Sequence, residues 1–188
     1  MSGDGYPTPL YSHAGRGPFQ DVYEPSEDSF LLVDALEKDA QRLQLLSPAV
    51  CVEVGSGSGV VSAFLASVLG PSALYVCTDV NPAAARCTEE TASCNNVSLQ
   101  PVITDLVGSR GIEAAWAGGQ RGREVLDRFL PFVPQLLSGR GLFYLITIAE
   151  NDPEDIIRLL EKHDLKGESR LSTRARNERL SVLRFHRT

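Results

Sequence analysis

Apolar residues along the chain fall into two recurring forms, short unbroken runs and stripes at helical spacing, and the two alternate. Residues 1–21 show neither form: Gly, Pro and polar side chains follow one another without a period, which predicts a flexible, extended N-terminal arm. A helix is predicted next. Pro25 and Ser26 mark its start, Glu27 and Asp28 suit its positive end, and Phe30, Leu31, Leu36 and Leu43 form its apolar face. After Pro48 comes a strand over 49–54, then a helix over about 60–69 whose Ser62, Ala63, Ala66 and Ser67 are small enough for close packing on a sheet. A second strand (73–78) ends at Asp79, and Pro82 opens a helix toward Cys94. A third strand (98–103) follows and ends at Asp105. Beyond it, Leu126, Phe129, Leu130, Val133 and Leu137 recur at helical spacing ahead of a strand over 142–148. A helix around 153–163 and a hairpin pairing 169–173 with 180–186 close the chain.

Strands alternating with helices argue for an α/β fold, a mostly parallel, Rossmann-like sheet with helices on both faces and a C-terminal antiparallel hairpin. With 188 residues the chain is long enough for one well-buried domain, expected over 22–188, and short for two. Composition narrows the function classes. A net charge of -6 and the lack of a basic run argue against a surface that grips nucleic acid through its phosphates. Cys51, Cys77, Cys87 and Cys94 lack C-x-x-C spacing and read as buried thiols of a reducing compartment, with no metal site expected. His13, His163 and His186 are far apart, and each reads as a surface residue. The N-terminus is polar and the longest apolar stretch is too short for a bilayer, so a cytoplasmic or nuclear location without a membrane role is expected.

Chemistry concentrates where the first strand runs into Val54-Gly-Ser-Gly-Ser-Gly-Val60. Gly55, Gly57 and Gly59 stand at every second position, whereas the dinucleotide fingerprint wants its third glycine at the position of Val60. Glu53, just before the turn, is a poor neighbour for a pyrophosphate and a good one for ribose hydroxyls or a cation. The loop therefore points to S-adenosylmethionine in preference to NAD or ATP, against the plainer reading of a tight strand–helix turn. Ligands of open parallel sheets lie beyond the carboxyl ends of the strands. Three acids stand there: Glu53, Asp79 and Asp105. Asp79 follows Gly55 at close to the roughly 20-residue spacing of a ribose-binding carboxylate. Asp105 could accept from an adenine amino group, with Leu106 against the ring. Asp79 before Asn-Pro could equally cap a turn, and Asp105 a helix.

Val22-Tyr-Glu-Pro-Ser-Glu-Asp-Ser-Phe30, Glu53-Val-Gly-Ser-Gly-Ser-Gly59, Thr78-Asp-Val-Asn-Pro82 and Gly111-Ile-Glu-Ala-Ala-Trp-Ala-Gly-Gly119 together resemble the eukaryotic HemK-like methyltransferases, also described as N-6 adenine-specific DNA methyltransferase-like. The likeness covers nearly the whole chain. It implies a seven-stranded class I methyltransferase fold using S-adenosylmethionine, and protein methylation as the activity. The implied acceptor is the glutamine amide (N5) of a translation release factor, with histone lysine in some members. The implied partner is a small zinc-binding activator subunit that covers an apolar sheet edge. Carried over to this chain, Ser29 (threonine in many relatives), Glu53, Gly55, Asp79, Asp105 and Leu106 would contact the cofactor.

The resemblance breaks at one place. The family's acceptor motif, Asn-Pro-Pro-Tyr, is absent, and no strand-like run exists between Ile103 and Leu142. Where the family places a helix, its central fourth strand and the motif, this chain has only Leu106-Val-Gly-Ser-Arg110. Intact flanks around a clean internal loss read as an exon-skipped splice variant, the alternative being a distant relative with a rewired site. Losing about five buried apolar side chains at roughly 1.5–3 kcal/mol each would forfeit on the order of 10 kcal/mol, comparable with a domain's whole net stability. A low-stability fold is expected unless the strand at 142–148 slides over to pair with the first. Asn81, Asn95 and Asn96 belong to the second-strand turn and its helix, and Glu113 and Trp116 read as a surface acid and a packing aromatic, so no catalytic residue is assigned. Two functions follow: a methyltransferase by lineage with weak or lost activity, and a non-catalytic variant that competes for the activator subunit or the substrate. DNA adenine methylation shares the missing motif and lacks a basic groove.

Overall fold

A computed structural model of the protein describes residues 5–106, 123–175 and 178–188. The chain forms two compact units, Met1–Thr104 and Asp105–Thr188. Each has its own sheet of three strands.

In the first unit, α1 (Glu27–Lys38) starts after Ser26, with Glu27 and Asp28 at its positive end and Lys38 in its last turn. It buries Leu31, Val33, Ala35 and Leu36. The predicted apolar face extends over a break at Asp39 into a second helix, α2 (Ala40–Leu46), which buries Leu43. β1 (Val50–Val54), α3 (Val60–Leu69), β2 (Leu74–Asp79), α4 (Pro82–Cys94) and β3 (Gln100–Ile103) then supply the predicted strand–helix rhythm. The strands run parallel in the order β1-β2-β3, with Val52 opposite Val76 and Asp79 opposite Ile103.

The small residues of α3 do what their size suggests. Ala63 and Ala66 pack into a core with Cys51, Tyr75, Cys77, Ala92 and Leu99. Cys51 and Glu53 face this helical side of β1, while Val50, Val52 and Val54 alternate to the other side and are exposed, Val52 by 61%. Parallel strands are ordinarily buried on both faces. Here β1 is an edge, paired only with β2 among the described residues, and its outer face is bare. All four cysteines lie in this unit as free thiols: Cys77 and Cys87 buried, Cys51 partly so, Cys94 exposed.

The expected N-terminal arm is laid along this unit. The Tyr6 amide donates to Glu37 Oε1 (2.8 Å), and the Tyr6 ring meets Phe64 edge-on at 6.0 Å. The Leu10 amide donates to Asn95 Oδ1 and its carbonyl accepts from Asn95 Nδ2. Ala14 and Val22 are buried with Ala84 and Cys87. Gly and Pro content reports backbone type; it carries no information on where such a segment packs.

In the second unit, the stripe from Leu126 to Leu137 forms α5 (Glu124–Phe129), a 3-10 turn (Leu130–Phe132) and α6 (Val133–Leu136), with Pro131 and Pro134 near the starts of the later two segments. β4 (Leu142–Ile148), α7 (Pro153–Glu161), β5 (Leu165–Ala175) and β6 (Glu178–Arg187) follow. β5 and β6 make the predicted hairpin, longer than its apolar alternation suggests. Leu130, Val133, Ile156, Leu160, Leu165, Leu183 and Phe185 form the core. The strand at 142–148 pairs antiparallel with β6, so the expected α/β fold consists of a parallel sheet in the first unit and an antiparallel one, order β4-β6-β5, in the second. Among the described residues no strand lies between Ile103 and Leu142, and the segment 107–122, where the fourth strand is expected to be missing, lies outside the described residues.

Candidate cofactor site

β1 ends by handing its ladder to the loop. The amides of Gly55 and Ser56 both donate to the Thr78 carbonyl (2.8 and 3.0 Å), and the Thr78 hydroxyl donates back to the Glu53 carbonyl (3.0 Å). The Gly59 amide closes the loop on the Ser56 carbonyl at 2.7 Å. Gly55, Gly57 and Gly59 all have positive φ, separated by Ser56 and Ser58. Two of the three have distinct roles. A Cβ on Gly57 would meet nothing within 4 Å, so the space over it is open; a Cβ on Gly59 would lie 2.8 Å from Thr88 Cγ2 and 3.1 Å from Thr88 Cα. Gly57 leaves room for a ligand, and Gly59 lets α4 come close.

Asp79 braces this turn. One carboxylate oxygen accepts from the Gly57 amide and the other from the Asn81 amide, both at 2.9 Å. Asn81 in turn caps α4, its Oδ1 accepting from the Ala83 amide (2.9 Å). The turn-capping role is thus present. Each carboxylate oxygen carries a second lone pair, so capacity for ribose hydroxyls remains. Glu53 reaches to the start of α3, where its Oε2 accepts from the Ser62 amide (3.1 Å) and hydroxyl. Burial pushes its carboxyl up to about 7 against the lowering effect of the Ser62 bonds, and Asp79 adds to the rise.

That shift has a measurable consequence. The folded chain holds a proton on Glu53 that the unfolded chain has released above its ordinary value of 4.5. Stability from this group is therefore full below about pH 4.5, declines as pH rises to about 7, and is level above that. We expect Glu53→Gln to remove a slope amounting to roughly 2–3 kcal/mol across the window. Urea midpoints of both forms at pH 5, 6 and 7 measure it, and parallel curves would contradict the burial argument.

Two further loop contacts have no signature in the sequence. Thr88 and Thr91, one turn apart on α4 and both fully buried, donate to the Gly57 and Ser58 carbonyls (3.4 and 2.6 Å). His13, expected at the surface, is partly buried, and its Nε2 lies 2.9 Å from Thr91 Oγ1.

The structure thus brings Glu53, Gly55, Gly57, Gly59 and Asp79 together in the first unit. Ser29 is in the first turn of α1, its amide and hydroxyl both donating to Asp28 Oδ1 (2.8 and 3.3 Å). Asp105 and Leu106 open the second unit, directly after Thr104, whose amide donates to the Asp79 carbonyl. Glu113 and Trp116 lie outside the described residues. No group of three potential metal ligands occurs among the described residues, and no helix there is long and apolar enough to cross a membrane.

The Asp79 carboxylate at this loop opposes a phosphate and favours hydroxyls or a cation, and the open space over Gly55 and Gly57 admits a closely held ligand. Those properties fit S-adenosylmethionine, a sulfonium carrying an uncharged ribose.

Comparison with known proteins agrees. The chain is similar to human "Methyltransferase HEMK2", 55% identical over 213 residues that cover 98% of this chain and 99% of the relative. It is 30% identical to the "eRF1 methyltransferase catalytic subunit mtq2" of Schizosaccharomyces pombe, covering 96% of this chain and 95% of that one. Among solved structures it is similar to the E. cuniculi Mtq2–Trm112 complex responsible for methylation of the eRF1 termination factor, with a TM-score of 0.67 and 23% identity over 89% of this chain and 99% of that chain. No family model matches the sequence. The fold is that of class I methyltransferases, whose cofactor is S-adenosylmethionine.

Proposed function

Because the chain belongs to the HEMK2 methyltransferase family, we propose that it is an internally shortened protein-glutamine methyltransferase of translation termination, with its cofactor half retained and its acceptor half removed. The observation that carries this reading is a braced, open glycine loop in a chain without Asn-Pro-Pro-Tyr. The loss of an internal segment has independent support. The human relative aligns over 213 positions, more than the 188 residues of this chain, so part of that relative has no counterpart here. An exon skipped between Asp105 and Gly111 accounts for the loss.

When bound, S-adenosylmethionine supplies an electrophilic methyl group. This chain's own residues would hold and orient it in the first unit: Asp79 at the ribose hydroxyls, with Glu53, the glycine loop and Ser29 of α1 around it. What is missing is a means of aiming an amide nitrogen at that methyl group. Transfer depends mostly on positioning, and misplacement by about 1 Å costs on the order of 10²-fold. Its fission-yeast relative acts on eRF1 and its E. cuniculi neighbour is bound to Trm112, which supports a release factor as the ancestral substrate and a small activator subunit as partner. Histone lysine would meet the same obstacle. Four free thiols, two of them buried, suit the reducing cytoplasm and nucleus.

Labelled methyl incorporation into a release-factor fragment, with the activator present, is expected at least about 100-fold below that of the human relative. A thermal melt in saturating S-adenosylmethionine is expected to shift upward, since at about 100 times Kd a native-state ligand adds about 2.7 kcal/mol. Turnover comparable with the relative's would overturn the reading. Competition with the intact enzyme for its activator, without turnover, would assign the chain the role of a non-catalytic variant.

A further inference from the structure

The N-terminal strap reaches the cofactor loop through named atoms. His13 Nε2 lies within hydrogen-bond reach of both Thr91 Oγ1 (2.9 Å) and the Cys87 carbonyl (3.3 Å). A carbonyl can only accept, so Nε2 carries the proton and donates. The Thr91 hydroxyl has one proton of its own, committed to the Ser58 carbonyl at 2.6 Å. Thr91 Oγ1 therefore accepts from His13 while it donates to Ser58, and the first bond strengthens the second. Thr91 is fully buried, so no water competes for either place. The peptide that follows the Ser58 carbonyl leads into Gly59, where the turn becomes α3.

The same strap touches the second half of the site. The Asp21 carbonyl accepts from Asn81 Nδ2 (3.1 Å), and the Asn81 amide is one of the two that hold the Asp79 carboxylate. Ala14, just after the first point, and Val22, just after the second, are buried against Ala84 and Cys87 of α4, and the His13 ring meets Phe19 edge-on at 5.7 Å. One segment thus secures both the glycine loop and the carboxylate that braces it.

We propose that residues 13–21 are part of the cofactor site, with His13 a positioning residue that acts through Thr91 on the Ser58 carbonyl, and that strap docking and cofactor binding reinforce one another. The proposal rests on the loop binding S-adenosylmethionine, as argued above, and adds the residue that sets the loop's shape from outside it. By linkage, whatever the docked strap adds to cofactor affinity, bound cofactor adds to strap docking.

His13→Phe keeps a ring against Phe19 and removes the donor, whereas His13→Gln restores an N–H donor. Calorimetric titration with S-adenosylmethionine is expected to show affinity weakened about tenfold in H13F and largely recovered in H13Q. Thr91→Val removes the intermediate link, and adding H13F to T91V is expected to cost no further affinity, because the two residues act in series. A residue that merely stabilises the fold would lower the melting temperature and leave affinity and this non-additivity untouched. Hydrogen exchange on the unaltered chain provides a test without variants: amides of residues 10–22 are expected to exchange more slowly when S-adenosylmethionine is bound. Unchanged affinity in a folded H13F, additive losses in the double variant, or exchange in the strap indifferent to cofactor would each overturn the proposal and leave the cofactor reading standing. Failure of the unaltered chain to bind S-adenosylmethionine would overturn both.

Discussion

Gly59→Ala is expected to unfold the first unit, while Gly57→Ala leaves it folded and unable to hold cofactor well. The two glycines share a left-handed backbone, φ +76° and +52°, and a Cβ in that region costs roughly 1–2 kcal/mol at either. What differs is the space. At Gly59 the added carbon would lie 3.1 Å from Thr88 Cα, part of a helix backbone that cannot step aside as a side chain can. Overpacking of that kind adds about 1–3 kcal/mol, for a total of roughly 2–5 kcal/mol against a unit of three described strands. At Gly57 the carbon enters open space, so the fold bears only the backbone cost and the lost volume falls on the ligand. Urea unfolding of both variants, paired with cofactor titration of the folded one, separates the two roles. Equal destabilisation would contradict the packing role of Gly59, and undiminished cofactor affinity in Gly57→Ala would contradict the ligand-space role of Gly57.

Asp79→Ala is expected to damage both stability and binding, because one carboxylate serves both. Its oxygens hold the Gly57 and Asn81 amides, so truncation leaves two backbone donors without their charged acceptor. Bonds to charged groups contribute about 1.5–3 kcal/mol each, and some of that returns through water at this half-exposed position, for a net loss of about 2–4 kcal/mol. Losing the ribose contact proposed for Asp79 as well should weaken S-adenosylmethionine binding by about 10- to 100-fold, the equivalent of roughly 1.4–2.8 kcal/mol. Asp79→Asn keeps one accepting oxygen and should fall between the two. An alanine variant that binds weakly but unfolds at the parent's urea midpoint would disprove the bracing role.

Local features of the first unit were legible from the sequence because they are written in short spacings. Ser26 before Glu27 and Asp28, the apolar run 50–54 into alternating glycines, and Asp79 before Asn81 and Pro82 each state their structure within a few residues. The loop's fastening was not legible. Thr88, Thr91 and His13 reach carbonyls and a hydroxyl 31 to 78 residues away, and a side chain bonded to remote backbone leaves no periodicity. A threonine on a helix looks the same whether it faces water or a carbonyl. Histidine 13 likewise sits in a Gly- and Pro-rich segment whose composition describes the backbone and not its neighbours. The helical stripe from Leu126 to Leu137 was visible, and its division near Pro131 and Pro134 could have been read from those prolines.

The placement of the cysteines gives this chain a built-in reporter. Every cysteine lies between residues 51 and 94, none in the second unit. Desolvation lifts the Cys51 and Cys87 thiols to about 11 and Cys77 to about 12, leaving almost no thiolate for an alkylating reagent near neutral pH, whereas Cys94 is open to it. Labelling of a single position therefore signifies an intact cofactor half, and uptake at four positions signifies its collapse, whatever the other half is doing.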